Sequence, residues 1–141
     1  MKIGLDLHNV IDRYPKLFKE LSEVWNALGH EIHIVTGQEK EKALPAVEKA
    51  GIAWHKFYSI VDYHKEIGTK MYTRTDKAGW WMDKGIWNSS KGDYAIEVGL
   101  DVHFDDSYDY AQYFPSDCTY IHVANGFDKM FENLLKVVLD E

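Results

Sequence analysis

The sequence predicts an α/β fold, a three-layer α/β/α sandwich around a central, mostly parallel five-stranded sheet. Two observations lead there. Short, apolar, β-rich runs recur at Lys2 to Leu7, Ile32 to Val35, Trp54 to Ser59, Val102 to Phe104 and Thr119 to Val123. Stretches of helical spacing lie between most of them, and strands that alternate with helices imply a parallel sheet covered on both faces. A third observation bears on function. Three of the strands run into polar or acidic residues, at Asp6, Thr36-Gly37 and Asp105-Asp106. In sheets of this kind ligands sit beyond the carboxyl ends of the strands.

Each element has its own warrant. Pro15 suits the first turn of a helix, where its missing N–H would have no partner anyway. Leu17, Phe18, Leu21, Val24, Trp25 and Leu28 then recur at helical spacing, and Gly29 closes that helix. Glu39 to Ala50 reads as a second helix, with Ala43, Val47 and Ala50 on one face and Gly51 as its stop. Val61 to Ile67 reads as a short third helix ended by Gly68. Thr69 to Met82 interrupts the alternation. Met71 to Thr75 and Trp80 to Met82 flank Asp76-Lys77-Ala78-Gly79, which predicts a β-hairpin insertion near 69–82 in a single domain spanning 1–141. Ile86 to Val98 predicts one or two helical turns, a break around Asn88-Ser89-Ser90, then a helix. Ser107 to Tyr113 is short and polar-aromatic, and Phe127 to Leu139 is the last helix.

Composition narrows the function classes. With 45% hydrophobic and 28% charged residues the chain resembles an ordinary globular domain and not a disordered one. Its 16 Lys and Arg against 23 Asp and Glu give a net charge of −7, which argues against a nucleic-acid backbone binder. A small phosphorylated substrate is still compatible, because one positive pocket or a metal can hold it. Cys118, the single cysteine, excludes an internal disulfide and fits a reducing compartment. No segment approaches the ~18 consecutive apolar residues of a membrane span. The start, Met1-Lys2-Ile3-Gly4-Leu5-Asp6, lacks the apolar run of a secretory leader, so the expected location is cytoplasmic, with no membrane partner.

The strand ends carry the chemistry. Asp6, Asp105 and Asp106 are expected to converge at one edge, where like charges disfavour each other's ionisation. Mg²⁺ relieves that, since it takes hard oxygen ligands and keeps waters and substrate phosphates. Thr36 adds a hydroxyl, and the Gly37 N–H opens towards a helix start, an anion-binding end. A lysine completes a phosphate pocket. The candidates are Lys91 and Lys84, and Lys91 is preferred because Ser89-Ser90-Lys91-Gly92-Asp93 reads as a helix start.

These residues carry a resemblance. Gly4-Leu5-Asp6-Leu7-His8-Asn9-Val10-Ile11-Asp12 resembles the first motif of the haloacid dehalogenase (HAD) superfamily, an apolar strand followed by Asp-x-Asp-x-Thr or Val. Ile32-His33-Ile34-Val35-Thr36-Gly37 resembles the second, Lys91 or Lys84 the third, and His103-Phe104-Asp105-Asp106 the fourth. The four occur in the family's order and span nearly the whole chain. With no long insertion after Asp12 or before Lys91, the chain is similar to the small, capless members. The resemblance implies a HAD-like Rossmannoid fold and a Mg²⁺-dependent phosphohydrolase acting on a small phosphorylated molecule, by default a nucleotide or sugar phosphate. It implies an aspartyl-phosphate on Asp6. Mg²⁺ would be held by Asp6, the His8 backbone carbonyl and Asp106, with Asp105 as a ligand or as a supporting neighbour. Thr36 and Lys91 would bind the phosphoryl oxygens. Capless members leave the rim open or borrow a lid from a second subunit, which a homodimer would supply.

One position departs from the pattern. The family's phosphatases place Asp two residues after the nucleophile as general acid and base, and this chain has His8. Three readings stay open. His8 replaces the Asp in proton transfer, for which an imidazole is chemically competent. Alternatively the substrate has a leaving group that needs no acid. Otherwise the site is weak or lost, and the chain is a phosphate- or nucleotide-binding module without turnover. A two-component receiver domain is disfavoured by order, because receivers place the acidic pair first and the phosphoacceptor later. No GxGxxG follows the first strand, and no glycine-rich loop ends in Lys-Ser or Lys-Thr, so the devices of dinucleotide enzymes and P-loop proteins are missing. His33 and His103 alternate with apolar neighbours and read as polar-face or satisfied core residues. Trp80-Trp81 and Trp87 either cover an apolar face or line a substrate entrance. Asp12 reads as a turn cap, and Asp109 as an exposed carboxylate or a support for the metal site.

Overall fold

In the computed structural model, which describes residues 1–139, seven strands and five helices follow one another along the chain. The first strand, β1 (Lys2–Leu5), ends two residues earlier than the apolar run suggests, because Leu7–Ile11 form a wide turn closed by the Asp12 N–H on the Leu7 carbonyl at 3.0 Å, with His8 and Asn9 outside helical geometry. Then come α1 (Pro15–Ala27), β2 (Glu31–Thr36), α2 (Lys40–Ala50), β3 (Lys56–Ser59) and α3 (Ile60–Ile67). A small antiparallel hairpin, β4 (Tyr72–Thr73) and β5 (Trp80–Trp81), occupies the expected place. It is followed by α4 (Lys84–Val98), β6 (Val102–Asp105), a 3₁₀ turn at Ala111–Tyr113, β7 (Thr119–His122) and α5 (Phe127–Leu139).

Five strands form one parallel sheet in the order β3-β2-β1-β6-β7. The alternating side chains of its strands divide the core in two. Ile3, Leu5, Ile32, Ile34 and Phe104 face one side, where they meet Phe18 of α1, Ala43 and Val47 of α2, and Phe127 of α5. Val35 and Tyr58 face the other side and pack with Ile60 of α3, Ala95 of α4, Met82, Leu100 and Cys118. These are the three layers. Phe18 anchors the first: it is fully buried, edge-on to Phe104 at 5.7 Å and stacked on Phe127 at 6.1 Å. Burying such a side chain stabilises by about 1.5–3 kcal/mol. Among the described residues no helix is long and apolar enough to cross a membrane.

The break expected at Asn88-Ser89-Ser90 does not occur. Asp83 caps α4 by accepting from the Ile86 N–H at 3.1 Å, and the helix then runs unbroken to Val98. Both serines are absorbed rather than breaking it, since their hydroxyls donate back to the Ile86 carbonyl at 3.2 and 2.6 Å. This is the back-bonding that lets serine sit inside a helix. Lys91 is therefore a mid-helix residue, not one at a helix start.

Candidate functional site

β1 is the middle strand, and its register carries the site. Leu5 pairs with Ile34 of β2 and with Phe104 of β6. The Asp6 N–H donates to the Phe104 carbonyl at 3.0 Å, so Asp6 leaves the sheet level with Asp105. One step further along β2, Thr36 ends its strand at the same edge. The carboxylates of Asp6, Asp105 and Asp106 converge there, each offering an oxygen within 4.8 Å of the others. All the acidic residues expected at the rim are thus brought together.

Lys91 completes the group. From the buried face of α4 its ammonium reaches Asp105 Oδ2 at 2.7 Å and Asp6 Oδ1 at 3.1 Å. Lys84, the other candidate, is exposed at the start of α4. The placement of Lys91 depends on Gly92. A Cβ at Gly92 would strike the backbone of Tyr113, so the glycine lets the Ala111–Tyr113 turn close onto α4. That turn lays the Tyr110 ring 4.7 Å from the Lys91 ammonium, and the Tyr110 hydroxyl accepts from Trp87 Nε1 at 3.0 Å. Trp87 in turn presses on Gly37, where a Cβ would lie 2.5 Å from the indole. Trp87 therefore borders the Thr36-Gly37 limb of the site. Trp80 and Trp81 lie on the hairpin instead, beneath the cations of Lys65, Arg74 and Lys77.

The electrostatics follow from three converging carboxylates and one buried ammonium that bridges two of them, Asp6 and Asp105. Burial pushes the Asp6 carboxyl up to about 8; Lys91 opposes this, while Asp105 and Asp106 add to it. Burial alone would raise Asp105 too, but Lys91 and His103 outweigh it and hold Asp105 well below the usual carboxylate range. Lys91 is itself raised, because the two anions outweigh its own desolvation. The chain thus contributes more negative than positive charge to this edge, and its donors are hard oxygens. Both features fit Mg²⁺.

The oxygens are not equivalent. Asp6 Oδ1 takes the Leu7 N–H at 2.8 Å as well as Lys91, while Oδ2 has no hydrogen-bond partner among the described residues. Asp105 Oδ2 takes Lys91 and His103 Nε2, and its Oδ1 takes the Ser107 N–H at 3.2 Å. Three of roughly four lone-pair sites on that carboxylate are filled. Of the two roles open to Asp105, the geometry favours the supporting neighbour, which leaves Asp6 and Asp106 as the carboxylates with room for a cation.

His8 lies in the turn after Asp6, its side chain 59% exposed and its Nδ1 3.5 Å from Asp12 Oδ2. Asp12 also accepts the Asn9 N–H at 2.6 Å, the turn-capping part expected of it. Thr36 is buried, and its hydroxyl accepts from the Gln38 N–H at 3.4 Å. Asp109 is exposed and lies outside the acidic cluster.

Two residues of the site escape the sequence reading. Asn9 adopts a left-handed backbone (φ 59°), which asparagine tolerates well, and its Nδ2 donates to Asp106 Oδ2 at 3.0 Å. The asparagine directly after His8 is the one signal of this in the sequence. His103 is the second. It is a core histidine as expected, but only half satisfied, since Nε2 meets Asp105 at 2.9 Å and Nδ1 has no partner. His33 by contrast is satisfied at both nitrogens, by Tyr94 and Glu31.

Fold and site together define an α/β protein with an acidic, lysine-bridged strand edge. Compared with models of known families and with curated proteins, the chain matches none.

Proposed function

We propose that this protein is a Mg²⁺-dependent phosphohydrolase of the HAD type, acting on a small phosphorylated molecule of the nucleotide or sugar phosphate class. The observation that carries the reading is Lys91, buried between Asp6 and Asp105 at the carboxyl edge of a parallel sheet, with Asp106 beside them. A buried ammonium that joins a strand-end carboxylate with one free oxygen to a second carboxylate suits phosphoryl transfer, which needs a fixed nucleophile and fixed positive charge.

The chain's own residues divide the work as follows. Asp6 in its ionised form attacks phosphorus through Oδ2, the bond to the leaving oxygen breaks, and an aspartyl-phosphate forms. Lys91, Thr36 and the Gly37 N–H bind phosphoryl oxygens as charge moves onto them. His8 gives a proton to the leaving oxygen, then takes one from the water that attacks phosphorus, which frees Asp6 and releases phosphate. Asp6, Asp106 and the His8 carbonyl would hold Mg²⁺, which when bound supplies further neutralisation of the phosphoryl oxygens.

One observation favours a second reading. His8 is exposed and turned towards Asp12, which suits a phosphate- or nucleotide-binding module without turnover. A phosphatase screen over a broad panel with Mg²⁺, run on the native chain and on Asp6→Asn, separates the two. Turnover that Asp6→Asn abolishes supports the hydrolase. Phosphate binding with no Asp6-dependent turnover on any substrate supports the binding module.

A further inference from the structure

Gly4 stands in the interior of the central strand, where glycine gives up packing and backbone entropy and so marks a place where something else needs the space. In register it faces His33 of β2 on one side and His103 of β6 on the other. A Cβ on Gly4 would lie 2.5 Å from His103 Nδ1 and 3.0 Å from the Leu100 side chain. The space Gly4 leaves is thus taken by the His103 imidazole.

That ring is wholly buried and stacked on Phe114, with centroids 4.8 Å apart and planes 17° apart. Its Nε2 is 2.9 Å from Asp105 Oδ2, the same oxygen that receives Lys91. Its Nδ1 is buried without a partner. For packing alone this is a poor choice: a leucine would fill the site without an orphaned nitrogen. The use of the histidine must lie in the one bond it makes.

The torsion that turns an aspartate carboxylate is soft, so hydrogen bonds fix its plane. We propose that His103 is a positioning residue for this site. Its Nε2–H fixes the Asp105 carboxylate in the orientation that holds the Lys91 ammonium beside Asp6, and Gly4 is glycine in order to admit it. The ionised Asp105 only accepts, so the Nε2 proton is required, and the orphaned Nδ1 leaves this as the one hydrogen bond of a ring otherwise held by packing. Ser107 holds the other oxygen, so loss of His103 would leave Lys91 as the sole donor to Oδ2. The ammonium would then keep Asp6 Oδ1, which the Leu7 N–H also holds, but lose Asp105 Oδ2 as a fixed second partner.

The activity arm of the test rests on the phosphohydrolase reading; the spectroscopic arm does not. In ¹⁵N-labelled protein, His103 Nε2 is expected to carry its proton, and the Lys91 ammonium to give a resolved, slowly exchanging signal. His103→Leu should fold with a thermal midpoint at or above the native one, yet lose or broaden that signal. His103→Gln, whose amide can donate from nearly the same point, should restore it. Gly4→Ala, which displaces the ring without removing it, should resemble His103→Leu. On any substrate that the native chain turns over, His103→Leu should lower kcat about tenfold or more with little change in KM, and His103→Gln should recover most of it. A Lys91 signal unchanged in both His103→Leu and Gly4→Ala, or an unprotonated Nε2, would overturn the proposal. Absence of turnover in every form would remove the hydrolase reading and leave the spectroscopic result to decide this one.

Discussion

Lys91 Nζ lies 2.7 Å from Asp105 Oδ2, and both side chains are almost completely buried. A buried pair is weak evidence of net stabilisation, because both partners have lost their water. Removing one partner is another matter, since it strands the other. Lys91→Met keeps the volume of the side chain but leaves Asp105 and Asp6 uncompensated. It should cost about 3–5 kcal/mol in urea denaturation. Lowering the pH, which protonates the stranded carboxyls, should restore part of that loss. A loss below about 1 kcal/mol, the scale of an exposed pair, would show that Lys91 does not neutralise the cluster.

Mg²⁺ should stabilise the protein. A ligand present at a hundred times its Kd adds about 2.7 kcal/mol when it binds the folded chain alone. The lone pairs of Asp105 are largely taken by Lys91, His103 and Ser107, whereas among the described residues the Asp106 carboxylate accepts a hydrogen bond only from Asn9. Asp106→Ala should therefore abolish the Mg²⁺-dependent rise in melting temperature, and Asp105→Asn should keep most of it. The opposite ranking would make Asp105 the ligand.

Gly92→Ala sets two effects against each other. Alanine in a helix interior is favoured over glycine by about 1 kcal/mol. Here the added methyl would run into the Tyr113 backbone, which cannot move aside as a flexible side chain could. Overpacking costs about 1–3 kcal/mol, so net destabilisation is expected. A variant more stable than the native chain would mean that the Ala111–Tyr113 turn is not pinned to α4.

Acid should weaken the fold through its buried imidazoles. His64 is bonded to Thr69 at 2.7 Å and to Ser90 at 2.8 Å, and burial lowers its pKa, opposed only in part by Asp93. Burial lowers His33 as well, against the pull of Glu31. An imidazole depressed in the folded state binds fewer protons there than in the unfolded chain. Stability is therefore complete above the usual value of about 6.5 and falls as the pH drops from there towards the folded value. Melting curves between pH 7.5 and 5.5 should show the fall, and His64→Gln should make it shallower. Parallel curves for native and variant would rule out a His64 contribution.

The parts of this site legible in the sequence are those that follow a local rule. Asp6, Thr36 and Asp105-Asp106 can be found because each stands where an apolar run ends, and a parallel sheet must gather such ends at one edge. Lys91 is legible only through a local rule that does not hold: its surroundings read as a helix start, whereas Ser89 and Ser90 fold back onto Ile86 and carry the helix through it. What stayed hidden depends on distant partners. Alternation puts His103 on the α3–α4 face of β6, but only the register with Gly4, 99 positions away, shows that the ring has room there and bonds Asp105. The Gly92–Tyr113 contact and the Asn9–Asp106 bond are likewise tertiary, and no spacing rule announces them.

If the phosphohydrolase reading holds, His8 is the group that moves the protons. Its imidazole is 3.5 Å from Asp12 Oδ2, close enough for the carboxylate to aim the ring. Loss of a general acid typically costs about 10²–10⁴ in rate, so His8→Ala should fall by that order on an alkyl phosphate, whose leaving oxygen needs a proton. On an aryl phosphate with an acidic leaving group the first step no longer needs the acid, so the same variant should lose much less in kcat/KM, while a loss in kcat that both substrates share reports the base role in the hydrolytic step. His8→Asp restores a group that can carry a proton and should recover activity on both. Asp12→Asn, which leaves His8 in place but weakens its partner, should fall between native and His8→Ala. Equal losses on the two leaving groups would place the effect of His8 in binding or in the hydrolytic step, and native turnover by His8→Ala would exclude it from proton transfer altogether.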